Sequence, residues 1–357
     1  MIASAFCVFV LHHALVPPSS AVSSCSQGCR CLLDTRYVNC SSGNFSAILT
    51  DLPSGAEFLD LSRNHVTEVL PVSFWGLLGL KVLVLKDNMI SFVADGAFAN
   101  LQSLHKLDLS QNRLSVLGDG FSVGLGSLRE LVLAHNNLTI LESTTFENLD
   151  NLVKLDLRAN FIRYIKPRAL SSMTALRQLC LNENHLTALG LGAVSSLRSL
   201  EVLKLQRNHI SVVEPGVFSS LCHLTALNLT FNNLSRLEFK TFLSICASNV
   251  HVVLEGNPWY CDCDLQRVFG KLANIHRLFL DDYHRLRCSK PAELQGSLIV
   301  EVAHELCAGE TVTVLILTCT VLITVVAAII MGDKNKGHRF DKDWTEEHAG
   351  LDAYCES

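Results

Sequence analysis

Residues 155–160 read Leu155-Asp156-Leu157-Arg158-Ala159-Asn160, and the same spacing, Leu-x-Leu-x-x-Asn, recurs on both sides of them. Toward the N-terminus it ends at Asn136, Asn112, Asn88 and Asn64; toward the C-terminus at Asn184, Asn208 and Asn232. Every step is 24 residues, and a looser copy (Val252-Val253-Leu254-Glu255-Gly256-Asn257) follows after 25. A period of this length, held in phase, marks an array of stacked units in which each unit contacts only its neighbours.

The spacing carries its own geometry. In Leu-x-Leu both leucines point inward from a short strand and the residue between them points out. The asparagine ends the strand, where its amide can bond backbone groups that would otherwise be buried unpaired. Ten residues after most of these asparagines stands another large apolar residue: Phe74, Phe98, Phe146, Leu170, Val194, Phe218 and Phe242. The expected fold is an α/β repeat, a curved solenoid with a parallel β-sheet on its concave face and this second apolar spine beneath the convex side. In the third repeat Phe121 stands one place early, with Ser122 in the slot. Nine strands ~4.8 Å apart make an arc roughly 40 Å long.

Outward from the repeats, the composition places the chain in the secretory route. Fourteen cysteines lie in 357 residues, eight of them in two terminal clusters, as suits an oxidising compartment. Residues 5–16 are mostly apolar and small residues follow, so 1–24 reads as a signal peptide cleaved after Ala21 or Ser24, although no Lys or Arg precedes the run. Residues 311–332 carry no charge and would span roughly 33 Å as a helix at ~1.5 Å per residue, enough to cross a bilayer. Lys334, Lys336 and Arg339 follow, which places the C-terminal side in the cytoplasm and the N-terminus outside. The remaining tail, 333–357, is too short for a folded signalling domain, and its far half is acidic.

The pattern resembles the extracellular leucine-rich-repeat family, over residues 25 to 307. The resemblance includes its ends: Cys25-x3-Cys29-x-Cys31-x8-Cys40 is similar to the family's N-terminal cap, and Asn257-Pro258-Trp259-x-Cys261-x-Cys263 with Cys288 and Cys307 to its C-terminal cap. Caps at 25–53 and 257–307 would flank repeats at 54–256 and cover the open sheet edges. The cysteines alone allow three connectivities per cap; the resemblance implies Cys25–Cys31, Cys29–Cys40, Cys261–Cys288 and Cys263–Cys307. Zinc at Cys261-x-Cys263 fits the residue types, but the secretory route favours disulfides. Cys222 and Cys246 are 24 apart and share one slot in adjacent coils, within reach of a further bridge. Cys180 stands unpaired between Leu179 and Leu181 and is expected to face outward as a small exposed side chain.

Candidate functional residues are those that no repeat rule requires. On the concave face these are Val84, Lys86, Asp108, Val132, Asp156, Arg158 and Lys204, a patch over the middle coils. Their signs are mixed, and the formal net charge is only −5, which argues against nucleic acid as a partner and suits a protein surface. Glycosylation sequons begin at Asn39, Asn44, Asn137, Asn228 and Asn233; Asn39, next to Cys40, is the least suited to use. A glycan at Asn228 would close the C-terminal end of the concavity. The sequence contains no HExxH, no GxSxG and no phosphate-binding glycine loop, so neither catalysis, nor a metal or other cofactor, nor a small-molecule substrate is expected.

These readings converge on a membrane-spanning surface protein for recognition or adhesion, whose partner is a protein ligand or membrane co-receptor. The competing reading is an auxiliary subunit regulating another membrane protein such as an ion channel, in which helix and tail carry the effect.

Overall fold

The computed structural model describes residues 22–24, 28–32, 36–307 and 312–331. One sheet runs the length of the solenoid. It contains 13 strands among the described residues. Nine belong to the repeats, from Phe58–Asp60 to Val250–Val253, and all nine pair in parallel at equivalent positions, as in Lys154↔Gln178 and Leu155↔Leu179. Three strands at the N-terminal end (Val22–Ser24, Arg30–Leu32 and Tyr37–Asn39) and one at the C-terminal end (Leu278–Leu280) extend it.

Each strand is three or four residues long because the coil must turn immediately. The turn uses left-handed backbone at the residue before the ladder asparagine, with φ of 53° at Ala159 and 56° at His135. Such φ values strain an ordinary side chain. The asparagine compensates. Asn136 Oδ1 accepts from Leu114 N (3.0 Å), and its Nδ2 donates to Leu109 O (3.0 Å) and Leu133 O (3.1 Å). One side chain thus closes its own turn and ties it to the preceding coil, and the same set repeats from Asn88 to Asn232. The leucines on either side are fully buried.

Beneath the convex side the aromatic spine forms as the spacing implies. Phe74, Phe98, Phe121 and Phe146 contact one another in series, with ring centroids 5.7–6.2 Å apart. Phe121 reaches the spine although it is one place early. Gly124 lies against the preceding coil there: a Cβ on it would sit 2.4 Å from Phe98 O and 2.5 Å from Ala99 Cα, at φ +87°. Ser122, in the slot, is buried and its Oγ accepts from Asn148 N (3.3 Å).

Both ends are covered. Arg30–Leu32 pairs antiparallel with Tyr37–Asn39 and with Val22–Ser24. That last strand lies inside the segment expected as signal peptide; of the two expected cleavage points, cleavage after Ala21 retains it. At the other end, helix Cys263–Ala273 is capped by Asp262, whose Oδ1 accepts from Leu265 N (2.8 Å), and packs Phe269 edge-on against buried Trp259. Asp282, from the same cap, accepts from Leu254 N (2.7 Å) and Glu255 N (2.6 Å). Its carboxylate takes the place of the next coil's backbone carbonyl, the acceptor that Val253 O provides for Leu229 N one coil earlier.

The structure contains the disulfides Cys29–Cys40, Cys222–Cys246, Cys261–Cys288 and Cys263–Cys307. Cys25, and so the pairing Cys25–Cys31, lies outside the described residues, as do residues 1–21 of the expected signal peptide and the whole expected tail. Among the described residues one helix, Val312–Met331 near the C-terminus, is long and apolar enough to cross a membrane, with a mean hydropathy of 2.9. Within it Thr318, Thr320 and Thr324 donate to carbonyls three residues back, so their hydroxyls are satisfied inside the helix.

Candidate functional site

The concave sheet presents the residues between its leucines. Val84, Asp108, Val132 and Lys204 are half-buried there, and Lys86 and Arg158 are exposed beside them. Asp156 differs: it is 6% exposed, and its carboxylate accepts from Arg158 N (3.1 Å) and faces Arg158 Nε (3.5 Å). Asp108 is likewise engaged, accepting from Ser110 N (2.9 Å) and Ser110 Oγ (2.6 Å). Both aspartates therefore close their own strand ends, and little of Asp156 is left for a partner.

Cys180 corrects an expectation. It does lie on the concave strand, but it is buried, at 5% exposure. The side chain is short and stands between longer ones, with Gln178 Nε2 donating to its sulfur at 3.4 Å and Lys204 paired beside it. Burial pushes the thiol above its ordinary pKa, and the charge of Asp156 adds to this.

Reading only the positions between the leucines overlooks a second outward column, one place before the first leucine. Here Glu130 sits between Lys106 (3.1 Å) and Lys154 (2.9 Å), one from each neighbouring strand. Burial works against the Glu130 charge, but hydrogen bonds from Lys154 and Lys106 hold its pKa below the usual carboxylate value; the bond to Glu130 in turn raises Lys154. Glu57 is similarly shared by Lys81 and Arg36, and its pKa is lowered by those bonds. At the C-terminal end of the column His251 contacts Asp281 (3.0 Å) and stacks on Phe279. The same period, read one residue earlier for Glu130 and His251 and two earlier for Glu57, would have disclosed these contacts. The concave face is thus a mosaic of internally paired charges with Val84 and Val132 between them.

The edge of the solenoid holds another series that the repeat rules do not require. Phe161, His185 and His209 follow the ladder asparagine in three consecutive coils, and their rings stack at 5.5 Å and 5.4 Å. Asn44, Asn137 and Asn233 are exposed. Asn228 is half-buried, its Oδ1 accepting from Thr230 N (3.0 Å) and Thr230 Oγ1 (2.8 Å). No cluster of three or more metal-ligating side chains occurs among the described residues.

A family model described as leucine rich repeat matches in five overlapping segments between residues 55 and 234, half of the chain. The chain belongs to the leucine-rich-repeat family, in its extracellular, disulfide-bearing form. Among solved structures it is similar to human 5T4 (Wnt-activated inhibitory factor 1, trophoblast glycoprotein), at 27% identity and a TM-score of 0.59, over 78% of this chain and 97% of that one. It is similar to a chain of the Drosophila Toll–Spatzle complex at 25% identity and a TM-score of 0.59, over 73% of this chain and 44% of that one. A chain from the octameric complex of latrophilin 3, Unc5D and FLRT2 shares the fold at 23% identity and a TM-score of 0.57, over 80% and 99%. A comparison with curated proteins finds no match.

Proposed function

We propose that this is a cell-surface recognition or adhesion protein, which binds a protein ligand or membrane co-receptor through the concave face of its middle coils. The helix Val312–Met331 anchors it in the plasma membrane with the repeats outside. The concave mosaic carries this reading: half-exposed valines among paired charges of both signs form a surface suited to another protein rather than to a polyanion. Similarity to 5T4 over most of both chains, and to Toll in a complex with Spatzle, supports it.

N-glycans on Asn44, Asn137, Asn228 and Asn233 are part of the same proposal. A glycan on Asn228 stands at the C-terminal end of the concavity and confines the partner to coils two to six.

Proximity labelling on intact cells, with the ectodomain tagged, tests the reading. A double variant, Lys86→Glu with Arg158→Glu, is expected to lose the labelled partner while still reaching the surface; unchanged labelling would exclude the concave patch. Exchanging the membrane helix for an unrelated one separates the competing role. Activity that survives the exchange supports recognition by the repeats, and activity lost with the helix supports an auxiliary subunit.

A further inference from the structure

The ring stack on the solenoid edge has two open ends. Phe161 offers one face to His185, and His209 offers one face to the other side of His185, with His185 Nδ1 and His209 Nε2 3.2 Å apart. The outer faces of Phe161 and His209 look along the edge toward the next coil in each direction. Phe161 is 49% exposed.

The residues standing in those next coils are sequon asparagines. Phe161 N donates to Leu138 O (2.9 Å), the carbonyl immediately after Asn137. Asn233 N donates to Ile210 O (2.9 Å), the carbonyl immediately after His209. Asn137, Phe161, His185, His209 and Asn233 therefore form one column, each about one coil spacing (~4.8 Å) from the next. Both asparagines are exposed, and both begin Asn-Leu-Thr/Ser.

We propose that the first N-acetylglucosamine on Asn137 packs its C–H face on the open face of Phe161, and that the one on Asn233 packs likewise on His209. The edge is then covered by the protein's own carbohydrate. A pyranose ring presents axial C–H bonds as a weakly positive, apolar face, and an aromatic ring presents a negative one, so the sugar continues the stack. The geometry favours this occupant over a protein partner. The two attachment points bound the ring stack directly, one coil beyond Phe161 and one coil beyond His209, so each sugar starts beside an open ring face. The charges beside the strip, Glu183 and Arg207, already face each other at 3.8 Å and leave no single-sign field for a charged ligand.

This rests on occupancy of the two sequons, proposed above, and the test separates that from the packing. Glycopeptide mass spectrometry of the full chain from mammalian cells reads occupancy. Thermal unfolding of the same material then compares Phe161→Ala, Asn137→Gln and the double variant. Phe161→Ala is expected to lower Tm by about 2 °C more in the glycosylated protein than in the Asn137→Gln background, where only its stack on His185 is lost. Thr139→Ala removes the same glycan while leaving Asn137 in place and is expected to behave as Asn137→Gln. His209→Ala with Asn233→Gln repeats the cycle at the other end. Unoccupied sequons would overturn the proposal through its premise. Occupied sequons with equal, additive losses would overturn the packing alone. Loss of a labelled partner on Phe161→Ala in the unglycosylated background would assign the strip to that partner instead.

Discussion

Cys222 and Cys246 stand in the same place of two successive coils and are joined by a disulfide across them, their Cα atoms 4.8 Å apart and their separation in sequence equal to the repeat period. The bond links the last complete coils to the C-terminal end of the solenoid, where stacking support comes from one side and the cap alone. Replacing both cysteines by serine is expected to cost up to about 3 kcal/mol, from the freed loop in the unfolded chain. Thermal unfolding with and without the bridge measures it, and free-thiol mapping checks that the bridge is present in the native protein.

The ladder asparagine should be far less replaceable than its polarity suggests. Asn136→Ala strands Leu114 N in a buried site and leaves Leu109 O and Leu133 O with one amide donor each (Asn112 Nδ2 and Asn160 Nδ2), with an expected loss of about 3 kcal/mol. Asn137→Ala, one residue on and exposed, is expected to change the stability of the enzymatically deglycosylated protein by less than about 0.5 kcal/mol. Urea unfolding of the two variants side by side tells whether the difference follows burial.

Two glycines two residues apart should respond in opposite ways. Gly124→Ala puts a methyl 2.4 Å from Phe98 O at a left-handed φ, and should cost more than about 2 kcal/mol. Gly126 meets nothing within 4 Å, so Gly126→Ala should be neutral or stabilise by about 0.5 kcal/mol. Equal effects in a denaturant titration would remove the close approach of the third coil as the reason for Gly124.

Glu130 has a lowered pKa in the folded protein, so its contribution is present above the unfolded carboxylate pKa and disappears as pH falls through the folded value. The pair geometry is partly solvated, which limits the effect to about 0.5 kcal/mol. Wild type and Glu130→Gln should therefore differ in Tm near neutral pH and converge in acid. Convergence in high salt at neutral pH would show the same ion pairs being screened.

Cys180, buried and with its pKa raised, should be slow to alkylate at pH 8 in the native state, by about tenfold relative to the unfolded chain. Timed labelling by mass spectrometry reads the ratio, and a fast native reaction would mean that the concave strands open there.

Much of this protein was legible in one dimension. Leu155, Leu157 and Asn160 could be assigned inward and turn roles because the 24-residue period repeats their environment, so eight copies specify one geometry. The bridge between Cys222 and Cys246 was legible for the same reason, since equal phase in a stack means proximity. What the period could not carry depended on the size and reach of unlike neighbours. Cys180 and Asp156 occupy outward positions yet are buried, because short side chains disappear beneath longer ones such as Arg158. Phe121 joins the aromatic spine from the wrong register because Gly124 lets the coils approach. Asp282 closes the sheet from a cap whose path no repeat dictates. Phe161, His185 and His209 are ordinary edge residues on their own, and only the stacking of three coils aligns their rings into one column between two sequons. The repeat determined the backbone, because identical coils must stack identically; tertiary contact decided which side chains remain open to a ligand, because exposure belongs to neighbours rather than to residues.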